Sequence, residues 1–111
     1  GTVLHEIAAE SQVGIELNTS AIPVAPEVRG VCGLLGLEPL YLACEGRLII
    51  FAPQAIAPTL VEVLRTLPDS RQAAVIGRVT PDFSGRVVLN TEIGTKTLLP
   101  EPSGELLPRI C

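Results

Sequence analysis

The chain contains no tryptophan and no methionine, one tyrosine and two phenylalanines among 111 residues, yet 47% of it is hydrophobic. Any core must therefore be aliphatic, built from Val, Ile, Leu and Ala. Histidine occurs once, at His5, so no Ser-His-Asp or Cys-His pair can be assembled from the residue pattern. Lysine also occurs once, at Lys96, and eight basic residues face twelve acidic ones for a net charge of -4. With no cluster of Lys and Arg, the sequence lacks the electrostatic footprint of nucleic-acid binding. No apolar run approaches the roughly 20 residues that span a bilayer. The first residues lack the basic start and apolar stretch of a secretion signal, which leads to the expectation of a cytoplasmic protein with reduced thiols. Cys32, Cys44, Cys111 and His5 contain no CxxC or HxxxH pair, which argues against a zinc site. Gly30, Gly33 and Gly36 lack the GK[ST] ending of a phosphate loop.

What is present is concentrated at the end, Pro108-Arg109-Ile110-Cys111. The stretch before it holds Pro100, Pro102, Gly104 and Pro108, which prevent a regular helix or central strand. Residues 100–111 are therefore expected to form a flexible tail, able to carry a thiol up to about 40 Å from its anchor. Cys111 reads either as an incidental exposed thiol or as a nucleophile activated by a docking surface, with Arg109 offsetting its carboxylate. Cys32, in line with Val28 and Leu35 at helical spacing, reads as a core residue. Cys44 is expected to be buried at the end of an apolar run, or else to lie beside a site. Glu45 follows that run and precedes Gly46; it is either a solvated surface group or a general base at the mouth of the segment.

Periodicity predicts a helix over residues 2–12 with Val3, Leu4, Ile7 and Ala8 on one face, and a short strand over 13–17. Pro26 opens a second helix that Gly36 ends, with its glycines allowing a neighbouring backbone to approach closely. Apolar strands are predicted over 40–44 and 47–52, flanking Glu45-Gly46. A third helix covers 57–67, with Leu60, Val63, Leu64 and Leu67 as its buried stripe. Strands over 73–80, 86–93 and 96–99 follow, the first two separated by the turn Asp82-Phe83-Ser84-Gly85. The order is that of an α+β sandwich with a mixed sheet, partly ferredoxin-like.

Pro26-Glu27-Val28-Arg29-Gly30, Leu35-Gly36-Leu37-Glu38-Pro39-Leu40-Tyr41, Glu45-Gly46, Ala74-Val75-Ile76-Gly77-Arg78-Val79 and the closing Leu107-Pro108-Arg109-Ile110-Cys111 appear in order. Together they resemble the C-terminal domain of the HypE family of hydrogenase maturation factors, within the AIR synthase-related (PurM-like) superfamily. The resemblance spans nearly the whole chain, and its terminal Pro-Arg-Ile-Cys is its most specific part. It implies a PurM C-terminal-like domain over residues 1–99 and a carrier tail over 100–111. It further implies that Cys111 accepts a carbamoyl group from a HypF-type carbamoyltransferase. After ATP-dependent activation of the carbamoyl oxygen, a thiocyanate forms whose cyanide passes to iron on a HypC–HypD complex. Glu45 matches the family's candidate base for the carbamoyl N–H proton. Cys44 stands where the family has Asn, and a thiol is a poor hydrogen-bonding substitute. The ATP and Mg2+ site, and the family's homodimer contacts, belong to an N-terminal domain that this chain lacks. The chain is thus expected to be an excised C-terminal part, inactive alone. Two other readings stand beside this one: a non-catalytic interaction module whose tail docks on a partner, and a redox-sensing thiol protein.

Overall fold

The computed structural model describes residues 1–102. Its centre is a four-stranded mixed sheet of β1 (Gly14–Asn18), β2 (Gly77–Thr80), β3 (Val87–Asn90) and β4 (Lys96–Leu98), in the order β2-β1-β3-β4. β1 and β3 run parallel at the centre, and each is flanked by an antiparallel edge strand. Three helices accompany the sheet: α1 (Thr2–Ser11), α2 (Pro26–Leu35) and α3 (Ala57–Arg65). The α+β expectation with a mixed sheet therefore holds.

Alternation along the strands sorts the two faces. Ile15 and Leu17 on β1 lie opposite Val87 and Leu89 on β3. They pack with Leu4 and Ala8 of α1 into one aliphatic core, which Leu99 completes. Residues of the other parity, Glu16, Arg78, Asn90 and Lys96, share the opposite face. Of the apolar stripe that the sequence assigned to α1, Leu4 and Ala8 are buried, Ile7 is half-buried and Val3 is exposed.

Local signals set the helix ends. Pro26 occupies the first turn of α2, where its missing N–H costs nothing. Gly36 ends the helix at φ 66°, and the N–H of Leu37 returns to the Cys32 carbonyl at 2.9 Å. The expectation that the α2 glycines admit a close neighbour is overturned. A Cβ placed on Gly30 or Gly33 would meet nothing within 4 Å.

Three further expectations fail. Neither 40–44 nor 47–52 forms a strand: Pro39–Tyr41 is a 3-10 turn, and residues 42–56 adopt no helix or strand. Their β-branched composition suits a strand, but a strand exists only where a neighbour accepts its hydrogen bonds, and the four described strands pair with one another. Leu48, Ile49, Ile50 and Phe51 consequently stay exposed. In α3, which ends at Arg65, Leu60 and Leu64 are half-buried while Val63 and the following Leu67 are exposed, so the predicted stripe is only partly covered. The strands expected over 73–80 and 86–93 shorten to β2 and β3, because pairing extends only over the register shared with β1.

Candidate functional site

The segment bearing Glu45 begins at the 3-10 turn Pro39–Tyr41. Glu38 caps that turn, its carboxylate accepting from the Leu40 N–H at 3.3 Å. Tyr41, the last residue of the turn, packs its ring against the core. Its hydroxyl donates to the Pro100 carbonyl and lies 3.3 Å from Nε2 of His5. Burial pushes the Tyr41 phenol above its ordinary pKa, and the negative charges of Glu38 and Glu101 act in the same direction. The phenol therefore keeps its proton, and its role as donor, at neutral pH.

Beyond Tyr41 the chain reaches Cys44 and Glu45 at a bend completed by Gly46, whose φ of 74° suits glycine. Glu45 is exposed. Cys44 is exposed as well, which overturns the expectation of burial: the strand that would have covered it does not form. The Gly1 amine, which donates to the Leu40 carbonyl, has its pKa lowered by burial, while Cys44 and Glu38 oppose that shift. The Leu40 carbonyl thus lies at the start of α1. Cys32 is buried, as its helical spacing indicated. Cys111 lies outside the described residues.

A second polar cluster was not anticipated. Glu16, only 3% exposed, sits on the central strand β1. One carboxylate oxygen accepts from Nε and Nη2 of Arg78 at 3.0 and 2.9 Å, and the other from Nζ of Lys96 at 3.0 Å. Hydrogen bonds from Lys96, then Arg78, hold the Glu16 carboxyl below its ordinary range, and burial opposes them. Arg78 lies on one edge strand and Lys96 on the other, so the carboxylate ties β2 and β4 across the sheet. A recess of about 470 Å³ adjoins the cluster, and the amide oxygen of Asn90 on its wall has no partner. Both Glu16 oxygens are occupied by cations, so this carboxylate is a structural tie rather than a base. Read along the chain, Glu16 is the polar member of an alternating strand. A buried partner could have been inferred only from noticing that the single lysine and an arginine in an apolar strand share its face.

Among the described residues, no group of three His, Cys, Asp or Glu side chains is placed to hold a metal ion. No described helix is long and apolar enough to cross a membrane.

A parallel pair inside an antiparallel frame, with helices beside it, is the architecture of a known domain class. The family of AIR synthase related proteins, C-terminal domain, matches residues 1–90, and the chain belongs to that family. Its full-length homologues point to a narrower group. It is 45% identical over 111 residues to the carbamoyl dehydratase HypE of Azotobacter vinelandii, covering 100% of this chain and 33% of that protein. A solved structure of the hydrogenase maturation protein HypE in complex with ATP superposes with a TM-score of 0.86 at 41% identity, over 99% of this chain and 34% of that one. A HypE–HypF complex superposes with a TM-score of 0.85 at 31% identity, over 90% of this chain and 32% of that one. The chain spans about a third of the length of the curated relatives it matches.

Proposed function

We propose that this chain is the thiol-bearing C-terminal domain of a carbamoyl dehydratase that makes the cyanide ligand for a hydrogenase iron. The observation that carries the reading is similarity to HypE proteins along the whole chain, through to the Pro108-Arg109-Ile110-Cys111 ending. The Cys111 thiolate attacks a carbamoyl carbon supplied by a HypF-type protein, forming an S–C bond while the donor's leaving group departs. ATP then supplies the phosphoryl group that turns the carbamoyl oxygen into a leaving group. Both N–H protons are lost, Glu45 taking the proton whose removal lets phosphate depart, and a C≡N triple bond replaces the C–O bond. Net, the thiocarbamate loses the elements of water, and its oxygen leaves in phosphate. Two electrons from a reductant on the acceptor side cleave the S–C bond, returning the Cys111 thiolate and passing cyanide to iron held by a HypC–HypD complex.

Residues 1–99 form the folded domain in this reading, and 100–111 the carrier tail. ATP and Mg2+ bind in the remaining two thirds of such a protein, which also forms the homodimer. The exposed Leu48, Ile49, Ile50 and Phe51, together with Leu34 and Leu35 of α2, are read as surface that the longer protein covers.

Incubation of the full-length protein with its carbamoyltransferase, carbamoyl phosphate and ATP is expected to add a carbamoyl mass to the peptide containing Cys111, followed by loss of one water mass. Equal modification of a Cys111→Ala protein would refute the carrier role. Glu45→Ala is expected to load carbamoyl normally and stall before water loss; unchanged thiocyanate formation would remove Glu45 from the mechanism.

A further inference from the structure

Residues 42–56 adopt no helix or strand, so no ladder of backbone bonds fixes where Glu45 stands. Leu42 before it bonds only back into its own turn, to the Pro39 carbonyl at 3.2 Å, whereas the side chain of Tyr41 bonds to distant parts of the chain. We infer that Tyr41 is a positioning residue: it ties the Glu45 segment to the point where the chain leaves the core toward Cys111. This rests on the carrier and base roles proposed above.

Three contacts make Tyr41 an anchor. The ring packs on the aliphatic core, the hydroxyl donates to the Pro100 carbonyl, and His5 on α1 lies within hydrogen-bond distance of the same oxygen. Because a carbonyl cannot donate, the hydroxyl proton is committed to Pro100, and the His5 contact requires Nε2–H as donor. That donor exists in the Nε2–H neutral tautomer and in the imidazolium alike, so the contact does not depend on the charge of His5.

The other end of the tie is equally fixed. Leu99 is buried in the core and its N–H bonds to the Val87 carbonyl at 2.8 Å. Pro100 therefore emerges from a rigid point on the sheet, and Tyr41 couples the loop to that point.

Chain lengths show what the tie must supply. From Pro100 to Cys111 the chain can extend up to about 40 Å, while Glu45 lies at most about 14 Å along the chain from Tyr41. Reach is therefore ample for the thiol, and the position of the carboxylate is the scarce quantity. Proton removal demands placement of the base to within an ångström or so, and a misplacement of about 1 Å can slow a reaction on the order of a hundredfold.

The test is Tyr41→Phe in the full-length protein, which keeps the ring and deletes the hydroxyl. Carbamoyl loading of Cys111 should be unchanged, single-turnover water loss should slow roughly tenfold or more, and amide exchange over residues 42–47 should quicken. In a Glu45→Ala background the same substitution should add no further loss, because Tyr41 acts through Glu45. Wild-type water loss with intact loading, or an additive loss in the double variant, would overturn the inference and leave the carrier role standing. If Tyr41→Phe does not fold, His5→Leu removes the second bond to the hydroxyl and should show a smaller loss confined to the same step. A His5→Leu protein equal to wild type in that step would then count against the tie. Failure of the wild-type protein to load Cys111 would overturn the proposed function, and exchange over 42–47 would still decide whether Tyr41 holds the segment.

Discussion

Gly77 sits where β2 closes against β1 and the fold leaves almost no room for an added carbon. A Cβ built there would lie 2.1 Å from the backbone oxygen of Glu16 and 3.0 Å from the Cα of Leu17. Ordinary contact begins near 3.4 Å, so β1 and β2 would have to separate locally by about 1.3 Å. The adjoining bond from the Asn18 N–H to the Ile76 carbonyl, 2.8 Å long, could not survive such a displacement. Overpacking costs about 1–3 kcal/mol and each lost backbone hydrogen bond about 0.5–1.5 kcal/mol. The reduced entropy of the unfolded Ala chain returns about 0.4–1 kcal/mol. The net loss is therefore about 0.5–4 kcal/mol, centred near roughly 2 kcal/mol, out of the roughly 5–15 kcal/mol that stabilises a domain of this size. At about 4–8 °C per kcal/mol, the centre of that range lowers Tm of Gly77→Ala by roughly 8–16 °C in thermal unfolding followed by circular dichroism. The urea m-value should not change. Gly30→Ala and Gly33→Ala supply the contrast. Both lie inside α2 with open space beside them, so each should raise stability by about 0.5–1 kcal/mol. A Gly77→Ala protein within about 2 °C of wild type, or more stable, would refute the close approach of β1 and β2.

Other outcomes test the polar cluster and the thiols. Hydrogen bonds from Lys96 and Arg78 depress the folded-state pKa of Glu16, so its contribution to stability is present above the ordinary value of 4.5 and lost as pH falls below it toward the folded value. Melting measured from pH 7 to 3 should show a shallower acid-side decline for Glu16→Gln than for wild type; parallel declines would contradict the tie. Under native conditions iodoacetamide should modify exposed Cys44 at least roughly tenfold faster than buried Cys32. Equal rates would mean that α2 opens freely around Cys32.

Elements whose signals are local were legible in the sequence. α1 and α2 begin and end within a residue or two of the positions set by their periodicity, Pro26 and Gly36. The turn before β3 follows from Asp82-Phe83-Ser84-Gly85, with Gly85 at φ 73°. What failed required knowledge of neighbours. Ile49, Ile50 and Phe51 have the composition of a strand and find no partner among the described residues, and Cys44 is exposed for that reason. The stripe of α3 is apolar at the correct spacing, but among the described residues no element covers Val63 or Leu67.

The candidate site divides in the same way. Glu45 and Cys111 were singled out by the residues around them and by resemblance, both of which are properties of the chain in order. Tyr41 was noticed only as part of a motif, because its two polar partners lie 36 and 59 residues away. Glu16 was passed over because Arg78 and Lys96 are 62 and 80 residues distant.

By itself, then, the sequence determined the aliphatic character of the core, the helix ends, the mixed α+β class and the residues with chemical capacity. Each depends on side-chain type, on backbone preference or on spacing within a few residues. Tertiary structure alone decided which apolar segments acquire a partner, where a carboxylate becomes a tie across four strands, and which phenol anchors a loop. These depend on groups brought together from distant parts of the chain, and hydrogen bonding and burial act through distance in space, not along the sequence.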